Sequence, residues 1–349
     1  MICYPVGRTR WTGSLGGSRV RPVVISIGAV PRRQLDSEMP MTLDLQALLE
    51  DLDDRVKGEM AVNPEIVDKG DALDVSALPI SARRWHKLDE AVAVVADLKG
   101  STNLGVGKHA ASTAAIYEAA TGGLCQIFDQ FDANFVAIQG DGAFGLFWGE
   151  QRMERAVCAG ITVKTFSVKQ LVPRLEKKWE DLPATGFKVG MAVSKLLVKR
   201  VGVPRTDHQE PVWAGKAVNY AAKCAQQAEA HEMIITGTIW DFVEDNDYLA
   251  VTCPCGSGPS SSLWSDVVID KIHEGDGERA GRRLTSCWCD VHGAEYCDAV
   301  LTGKTKRPEA ESIVAQVRKA QRDDAFRSAQ RRVRENQRNI RRGLAMRHR

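Results

Sequence analysis

The 349-residue sequence contains no apolar run of about 18 residues or more, which excludes a helix able to span a bilayer. It shows no secretory-leader pattern. The Arg-bearing N-terminal stretch runs into the apolar segment Pro22–Val30, but Ser26 and Gly28 interrupt it. It has no excess of one charge, with 47 Lys and Arg against 45 Asp and Glu and a formal net charge of +2. It also lacks an even cysteine count: there are nine, at 3, 125, 158, 224, 253, 255, 287, 289 and 297. Three of them, Cys125, Cys158 and Cys224, stand singly in helical patterns. An odd count without a secretory leader argues against a disulfide scaffold and predicts a reducing, cytoplasmic setting. What is present is ordinary globular composition, 44% hydrophobic and 26% charged, which excludes a collagen-like or wholly disordered chain.

The near-neutral total conceals two unlike regions. Lys304–Arg349 carries 15 Lys and Arg against five Asp and Glu, so the remainder is acidic. This segment is predicted to be a basic helical tail, helical over Gln321–Arg342 with Arg on nearly every face. Its one aromatic, Phe326, makes no stacking platform, so a solvated helix is expected rather than a nucleic-acid surface. At the other end, residues 1–40 read as a disordered leader, with Met39 or Met41 as an alternative biological start.

Between these ends the hydrophobic pattern predicts the elements. Residues 41–89 hold an N-terminal amphipathic helix, Leu43–Val56, and then an irregular segment from 61 onward. Ala91–Ala96 reads as a buried strand, followed by a polar loop to Lys108 and a helix over Ser112–Phe131. Phe135–Ile138 and Ala143–Trp148 flank Gly140-Asp141-Gly142, a hairpin signal. A helix over Arg152–Leu175 stopping near Pro173 comes next, then a strand over Phe187–Val193 with Leu196–Val203 pairing back on it. Val218–Ala230 is helical, Met233–Thr236 a strand, and Thr238–Phe242 a short helix. The order begins β-α-β-β-α-β and predicts an α+β, ferredoxin-like domain over 90–249, a central mostly antiparallel sheet with helices. Residues 250–303 hold five of the nine cysteines and read as a Cys-rich subdomain with a flexible insert at Ser257–Ser262.

Asp97 ends the first strand and Asp141 tips the hairpin 44 residues later. In this topology the two elements are neighbours, so both carboxylates can converge on hard divalent cations, which take carboxylate and phosphate oxygens. Lys99, Gly100, Ser101 and Thr102 lead toward a helix, and small residues there let backbone N–H groups approach a polyphosphate. A lone Asp after a strand is more often a turn residue, so the weight lies on the pair. Asn219 and Lys223 are four apart on a helix and share a face, suited to a ribose oxygen and a phosphate, or else simply solvated. Cys253, Cys255, Cys287, Cys289, His292 and Cys297 offer thiolate and imidazole ligands for a structural Zn²⁺. The alternative is a set of small buried residues with Trp264 and Trp288 as core.

Together these pieces resemble the class III nucleotidyl cyclases. The strand motif is Val95-Ala96-Asp97-Leu98-Lys99-Gly100-Ser101-Thr102, the hairpin motif Gly140-Asp141-Gly142, and the helix motif Gly215-Lys216-Ala217-Val218-Asn219-Tyr220-Ala221-Ala222-Lys223. Ile234-Ile235-Thr236 matches the strand that follows. Three motifs in order are far more specific than any one. The resemblance implies a head-to-tail homodimer that binds a nucleoside triphosphate between protomers. It also implies two Mg²⁺ or Mn²⁺ ions per site on Asp97, Asp141 and the Leu98 carbonyl. One metal would lower the pKa of the ribose 3′-OH, which attacks the α-phosphate in line and releases pyrophosphate. Asn219 would orient the ribose, and Lys223, where the family usually has Arg, would neutralise phosphate charge.

The base-reading positions depart from the family's purine codes. Adenylyl cyclases place Lys four residues before the hairpin Asp and Asp or Thr seven before the Asn; guanylyl cyclases place Glu and Cys. Here those positions are Ala137 and Val212, which offer no polar group to a base edge. The chain is therefore most similar to the pyrimidine cyclases of bacterial Pycsar anti-phage defence, which share the Asp-Leu/Ile-x-Gly-Ser-Thr form and a segment like Ala82-Arg83-Arg84-Trp85. That resemblance implies synthesis of cyclic UMP from UTP, or else cyclic CMP, as a second messenger for a separate effector. An adenylyl cyclase with an unusual base pocket and a degenerate nucleotide-binding sensor are the other readings.

Overall fold

The computed structural model describes residues 43–80, 83–203, 206–255 and 263–314. The leader over 1–40, most of the basic tail and the Ser257–Ser262 insert lie outside these residues. The chain divides into two units, one ending at Val62 and one beginning at Asn63.

The described part of the first unit is helix α1, Leu45–Ala61. Asp44 caps it, its carboxylate accepting from the Ala47 amide at 3.0 Å. Leu45, Leu48, Leu49, Leu52 and Val56 recur at helical spacing along it.

The second unit opens with β1, Glu65–Asp68, and the long strand β2, Arg84–Leu98. Helices α2, Ser101–Leu104, and α3, Ala110–Gln130, follow. Next come the hairpin β3, Phe135–Gln139, and β4, Gly142–Phe147. Helices α4, Arg152–Phe166, and α5, Val172–Lys178, lead to β5, Phe187–Gly202, and β6, Gln209–Gly215. Then come α6, Lys216–Gln227, β7, Met233–Ile235, α7, Gly237–Glu244, and α8, Asp247–Ala250. Strands β8, Trp264–Val268, and β9, Ala280–Leu284, precede α9, Gly293–Leu301.

The strands form one sheet in the order β3-β4-β2-β5-β7-β9-β8, with β1 alongside β2 and β6 alongside β5. Among the described strands only the β1–β2 and β5–β7 pairs are parallel. This is the expected α+β architecture, a central, mostly antiparallel sheet with helices. Alternation along β2 separates two cores. Val92, Val94, Ala96 and Leu98 join Ile116, Ala120, Leu124 and Phe128 of α3 and the apolar face of α4. Ala91 and Ala93 face the other way, toward Phe144, Leu146, Ala192 and the α6 residues Ala217 and Ala221. Among the described residues no helix is long and apolar enough to cross a membrane.

Several elements differ from the sequence reading. β2 starts at Arg84 rather than Ala91, so 61–89 is not wholly irregular. Charged residues around buried His86 and Leu88, namely Arg84, Lys87, Asp89 and Glu90, and a register shift between Leu88 and Ala91, mask its periodicity. The helix begun at Arg152 passes Pro173: a π turn over Ser167–Leu171 resets the hydrogen bonding, and Pro173 falls in the first turn of α5. Leu196–Val203 does not fold back on Phe187–Val193. Most of it continues the same strand β5, whose second half pairs with β6 instead. The Cys-rich stretch is not a separate body either. β9 pairs with β7 in the main sheet, and Trp264, Leu284 and Val300 are buried in the same core as α3 and α4.

Candidate active site

The carboxylate pair sits where β2 and the β3–β4 hairpin end together. Ala96 pairs with Ala143, and Asp97 pairs with Lys188 on the other side. The turn is tight, with Gly140 at φ 63. Gly142 is required by close approach: a Cβ there would lie 2.3 Å from the Ala96 carbonyl oxygen. The hairpin is thereby held directly against the segment that carries Asp97. Asp97 continues the Ala93–Val95 row on the α6 side of the sheet, and its side chain stays 42% exposed. Asp141 is half-buried at the hairpin tip. Lys188 Nζ lies 2.5 Å from Asp97 Oδ2, so a cation already balances this carboxylate. Two accessible carboxylates at one strand end, with the Leu98 main chain beside them, form the hard-oxygen donor set that fits Mg²⁺ or Mn²⁺.

Lys99, Gly100, Ser101 and Thr102 follow at once. Gly100 adopts φ 67, which starts α2. The loop is pinned from behind: the Lys99 amide donates to the Gly186 carbonyl at 3.0 Å, and Thr185 Oγ1 donates to the Lys99 carbonyl at 2.7 Å. Lys99 ion-pairs with Glu229. The sequence reading ran a polar loop to Lys108 and then a helix from Ser112; α3 starts at Ala110, and the loop itself contains the single-turn helix α2.

Helix α6 carries Asn219 and Lys223. It crosses β5 at Gly190, where a Cβ would meet the Ala221 carbonyl at 2.0 Å. Small residues thus seat the helix deep on the sheet, and its outer face remains open. Asn219 is exposed and donates to the Gly215 carbonyl at 3.1 Å. Lys223 Nζ lies over the Tyr220 ring at 5.1 Å. Among the described residues no hydrogen bond or ion pair joins Asn219 or Lys223 to Asp97 or Asp141.

Asp276, which the sequence reading missed, anchors this helix. It accepts from Lys216 Nζ and from the Tyr220 hydroxyl, each at 2.7 Å. These two partners, Lys216 foremost, hold its carboxyl down at about 2. The same contacts raise the Lys216 ammonium and the Tyr220 phenol above their ordinary values. Asp276 lies in a loop 56 residues from Tyr220, with no local motif to mark it.

Ala137 lies on β3, opposite Phe144, and Val212 on β6, opposite Lys199. Their strands are far apart in sheet order, yet Phe135 and Trp213 ring centroids are 5.0 Å apart. The sheet therefore curls to bring β3 and β6 together. Ala137 belongs to this apolar and aromatic face, while Val212 is 42% exposed.

Of the six Cys and His candidates for zinc, four come together: Cys253, Cys255, Cys289 and His292. Cys287 does not join them; it lies 3.5 Å from Lys164 Nζ, a buried ammonium. Cys297 sits on α9 against Cys158 of α4. Both were included on spacing alone, and the backbone turns their side chains toward α4.

No protein-family model matches the chain. It is 71% identical over 267 residues to a uridylate cyclase of Micromonospora echinofusca, spanning 76% of this chain and 87% of that one. It is 50% identical over 270 residues to a uridylate cyclase of Propioniciclava tarda, spanning 76% and 86%. Among solved structures, the adenylyl cyclase CyaB from Pseudomonas aeruginosa aligns with a TM-score of 0.46 at 14% identity, over 59% of this chain and 98% of that one. Identity of this degree over most of both chains makes the protein an enzyme of the uridylate cyclase family.

Proposed function

We propose that the enzyme converts UTP to 3′,5′-cyclic UMP and pyrophosphate, working as a cytoplasmic head-to-tail homodimer. The observation that carries this reading is the paired Asp97 and Asp141 at one strand end, in a chain 71% identical to a uridylate cyclase. Asp97, Asp141 and the Leu98 carbonyl would hold two Mg²⁺ or Mn²⁺ ions. Those ions, when bound, would make the ribose 3′-OH more acidic and offset the triphosphate charge. Lys188 is paired with Asp97 and would have to yield that carboxylate to such an ion. The 3′-oxygen bonds to the α-phosphorus, the bond from that phosphorus to the bridging oxygen of pyrophosphate breaks, and the 3′-proton passes to solvent.

Lys99, Gly100, Ser101 and Thr102 line the phosphate end of the site. Asn219 orients the ribose, and Lys223 places charge on the phosphate; both come from the partner protomer. The open outer face of α6 supports that division, because a side chain acting in trans must be accessible within its own chain. Lys223 supplies a point charge where a guanidinium would supply a planar fork. Ala137 and Val212 leave the base edge without a polar partner, which suits neither purine code. The cyclic nucleotide acts as a second messenger on a separate effector in anti-phage defence.

Incubation with each of the four nucleoside triphosphates and Mn²⁺, with products identified by mass spectrometry, tests the reading. Cyclic UMP is the expected main product. Cyclic AMP or cyclic CMP as the main product would overturn the substrate assignment, and no product from any of them would overturn the mechanism.

A further inference from the structure

Cys253 and Cys255 follow α8, and Cys289 and His292 lie between β9 and α9. Their donor atoms close into a ring. Cys253 Sγ is 3.1 Å from Cys255 Sγ and 3.1 Å from His292 Nδ1. Cys289 Sγ is 3.2 Å from Cys255 Sγ and 3.9 Å from His292 Nδ1. All four donors lie within 4.8 Å of one another. Ligands at the usual Zn–S and Zn–N lengths of about 2.3 and 2.0 Å, at tetrahedral angles, stand about 3.5 to 3.8 Å apart. The ring has the size of that tetrahedron. A disulfide would use one of these contacts and leave the third thiol and the imidazole unused; a tetrahedral cation uses all four.

The surroundings are built for thiolate. The backbone amides of Val291 and His292 both donate to Cys289 Sγ at 3.4 Å. The Tyr296 hydroxyl donates to Cys253 Sγ at 3.7 Å. The His292 ring stacks on Tyr296 with 21° between planes, which fixes the imidazole's orientation. On that same Tyr296 ring lies the guanidinium of Arg307, a residue only 4% exposed, at 4.8 Å. Arg307 also donates to the carbonyl of Thr252 at 2.8 Å, which holds the chain entering Cys253. Three thiolates and one imidazole around Zn²⁺ carry one net negative charge. The amides, the phenol and the buried guanidinium answer it.

We propose that Cys253, Cys255, Cys289 and His292 bind one structural Zn²⁺ per chain. Soft thiolates select zinc over the hard cations suited to Asp97 and Asp141. Four protein ligands leave no open position, so the site is structural rather than catalytic. It ties the segment after α8 to the start of α9, across the insert between Cys255 and β8. α9 in turn lies against α4, where Cys158 Sγ approaches the Cys297 carbonyl at 4.0 Å. The metal thus clamps α9 onto the catalytic core.

The test is metal analysis of the full chain purified without chelator, paired with the visible spectrum of the Co²⁺-substituted protein. One zinc per chain is expected, with the strong absorption of tetrahedral, thiolate-ligated cobalt. Cys289→Ser and His292→Ala should each lose most of the zinc. Cys287→Ser, Cys297→Ser and Asp97→Ala should keep one per chain. The last variant separates this site from the catalytic reading, since it removes turnover without touching a zinc ligand. Zinc well below one per chain that added Zn²⁺ does not raise, or cobalt without the tetrahedral bands, would overturn the proposal in the wild-type protein alone. Zinc retained by the Cys289→Ser, His292→Ala double variant, or lost in Asp97→Ala, would overturn the assigned ligands.

Discussion

Asp97 at the end of β2 and Asp141 in the turn of the neighbouring hairpin stand at an accessible sheet end, whereas Cys253, Cys255, Cys289 and His292 come from two loops brought together behind a tyrosine and a buried arginine. The first group is built of oxygen and is partly open; the second is built of sulfur and nitrogen and closes on itself. An open oxygen site leaves coordination positions for a substrate's phosphates, as turnover requires. A closed thiolate site holds its ion through folding energy and offers nothing to a substrate. One fold thus carries two donor sets whose chemistry would select different metals.

The largest effect that would break this comparison comes from the carboxylates. Asp97→Ala and Asp141→Ala should each lower turnover by about a thousandfold or more, measured as cyclic nucleotide formed. Their melting temperatures should stay within a few degrees of wild type. Appreciable residual activity in both would remove the oxygen site from the mechanism. Chelation should then separate the two sites. EDTA should stop turnover at once and Mn²⁺ should restore it, with zinc content unchanged. A mercurial that captures thiolates should release zinc and lower the melting temperature by about 5 °C or more. Loss of zinc to EDTA on the same timescale as activity would merge the two sites into one kind.

A smaller effect probes the backbone beneath Asp97. Gly142→Ala places a methyl group 2.3 Å from the Ala96 carbonyl. It should cost about 1–3 kcal/mol in denaturant unfolding and reduce turnover, because the hairpin must move away from β2. An unchanged midpoint and rate would show that this approach does not set the carboxylate geometry.

The smallest effect concerns α6. Asp276→Asn should lower kcat about tenfold with little change in KM for the metal–nucleotide, because it unpins the helix that presents Asn219 and Lys223. It also makes a pH prediction. The Asp276 carboxyl is held down to about 2 in the fold, against about 3.9 for a free Asp. A carboxyl depressed by folding contributes stability above its unfolded value and loses it as pH falls through the folded one. The stability gap between wild type and Asp276→Asn should therefore be constant above about pH 4 and close toward pH 2. A gap that persists unchanged below pH 2 would rule out the ion pair as its source.

The two regions also differ in how far they could be read in advance. Asp97, Asp141, Asn219 and Lys223 each sit inside a contiguous motif on an element whose period is plain: an apolar strand, a D-G hairpin, an i,i+4 helix face. Local spacing sets which way such residues point. The four zinc donors lie in loops, where no period operates. Spacing alone proposed six residues, and it took the backbone path to turn Cys287 toward Lys164 and Cys297 toward Cys158. β2 shows the same limit within a regular element, because its first half alternates charged and buried residues around a register shift and so hid as irregular chain. The continuity of β5 through Ser194 and Lys195 was masked by two polar residues that resemble a turn.

The order of elements, the carboxylate pair, the Lys99–Thr102 loop and the missing purine code were all determined by the sequence itself, since each depends on neighbours within a few residues or on simple strand order. Tertiary structure alone decided three things: which thiols share one tetrahedron, that Asp276 holds α6 from 56 residues away, and that β3 and β6 meet through Phe135 and Trp213. These contacts join residues distant in the chain. Their geometry follows from how the sheet curls and how helices seat on it, and a linear pattern carries no record of that curvature.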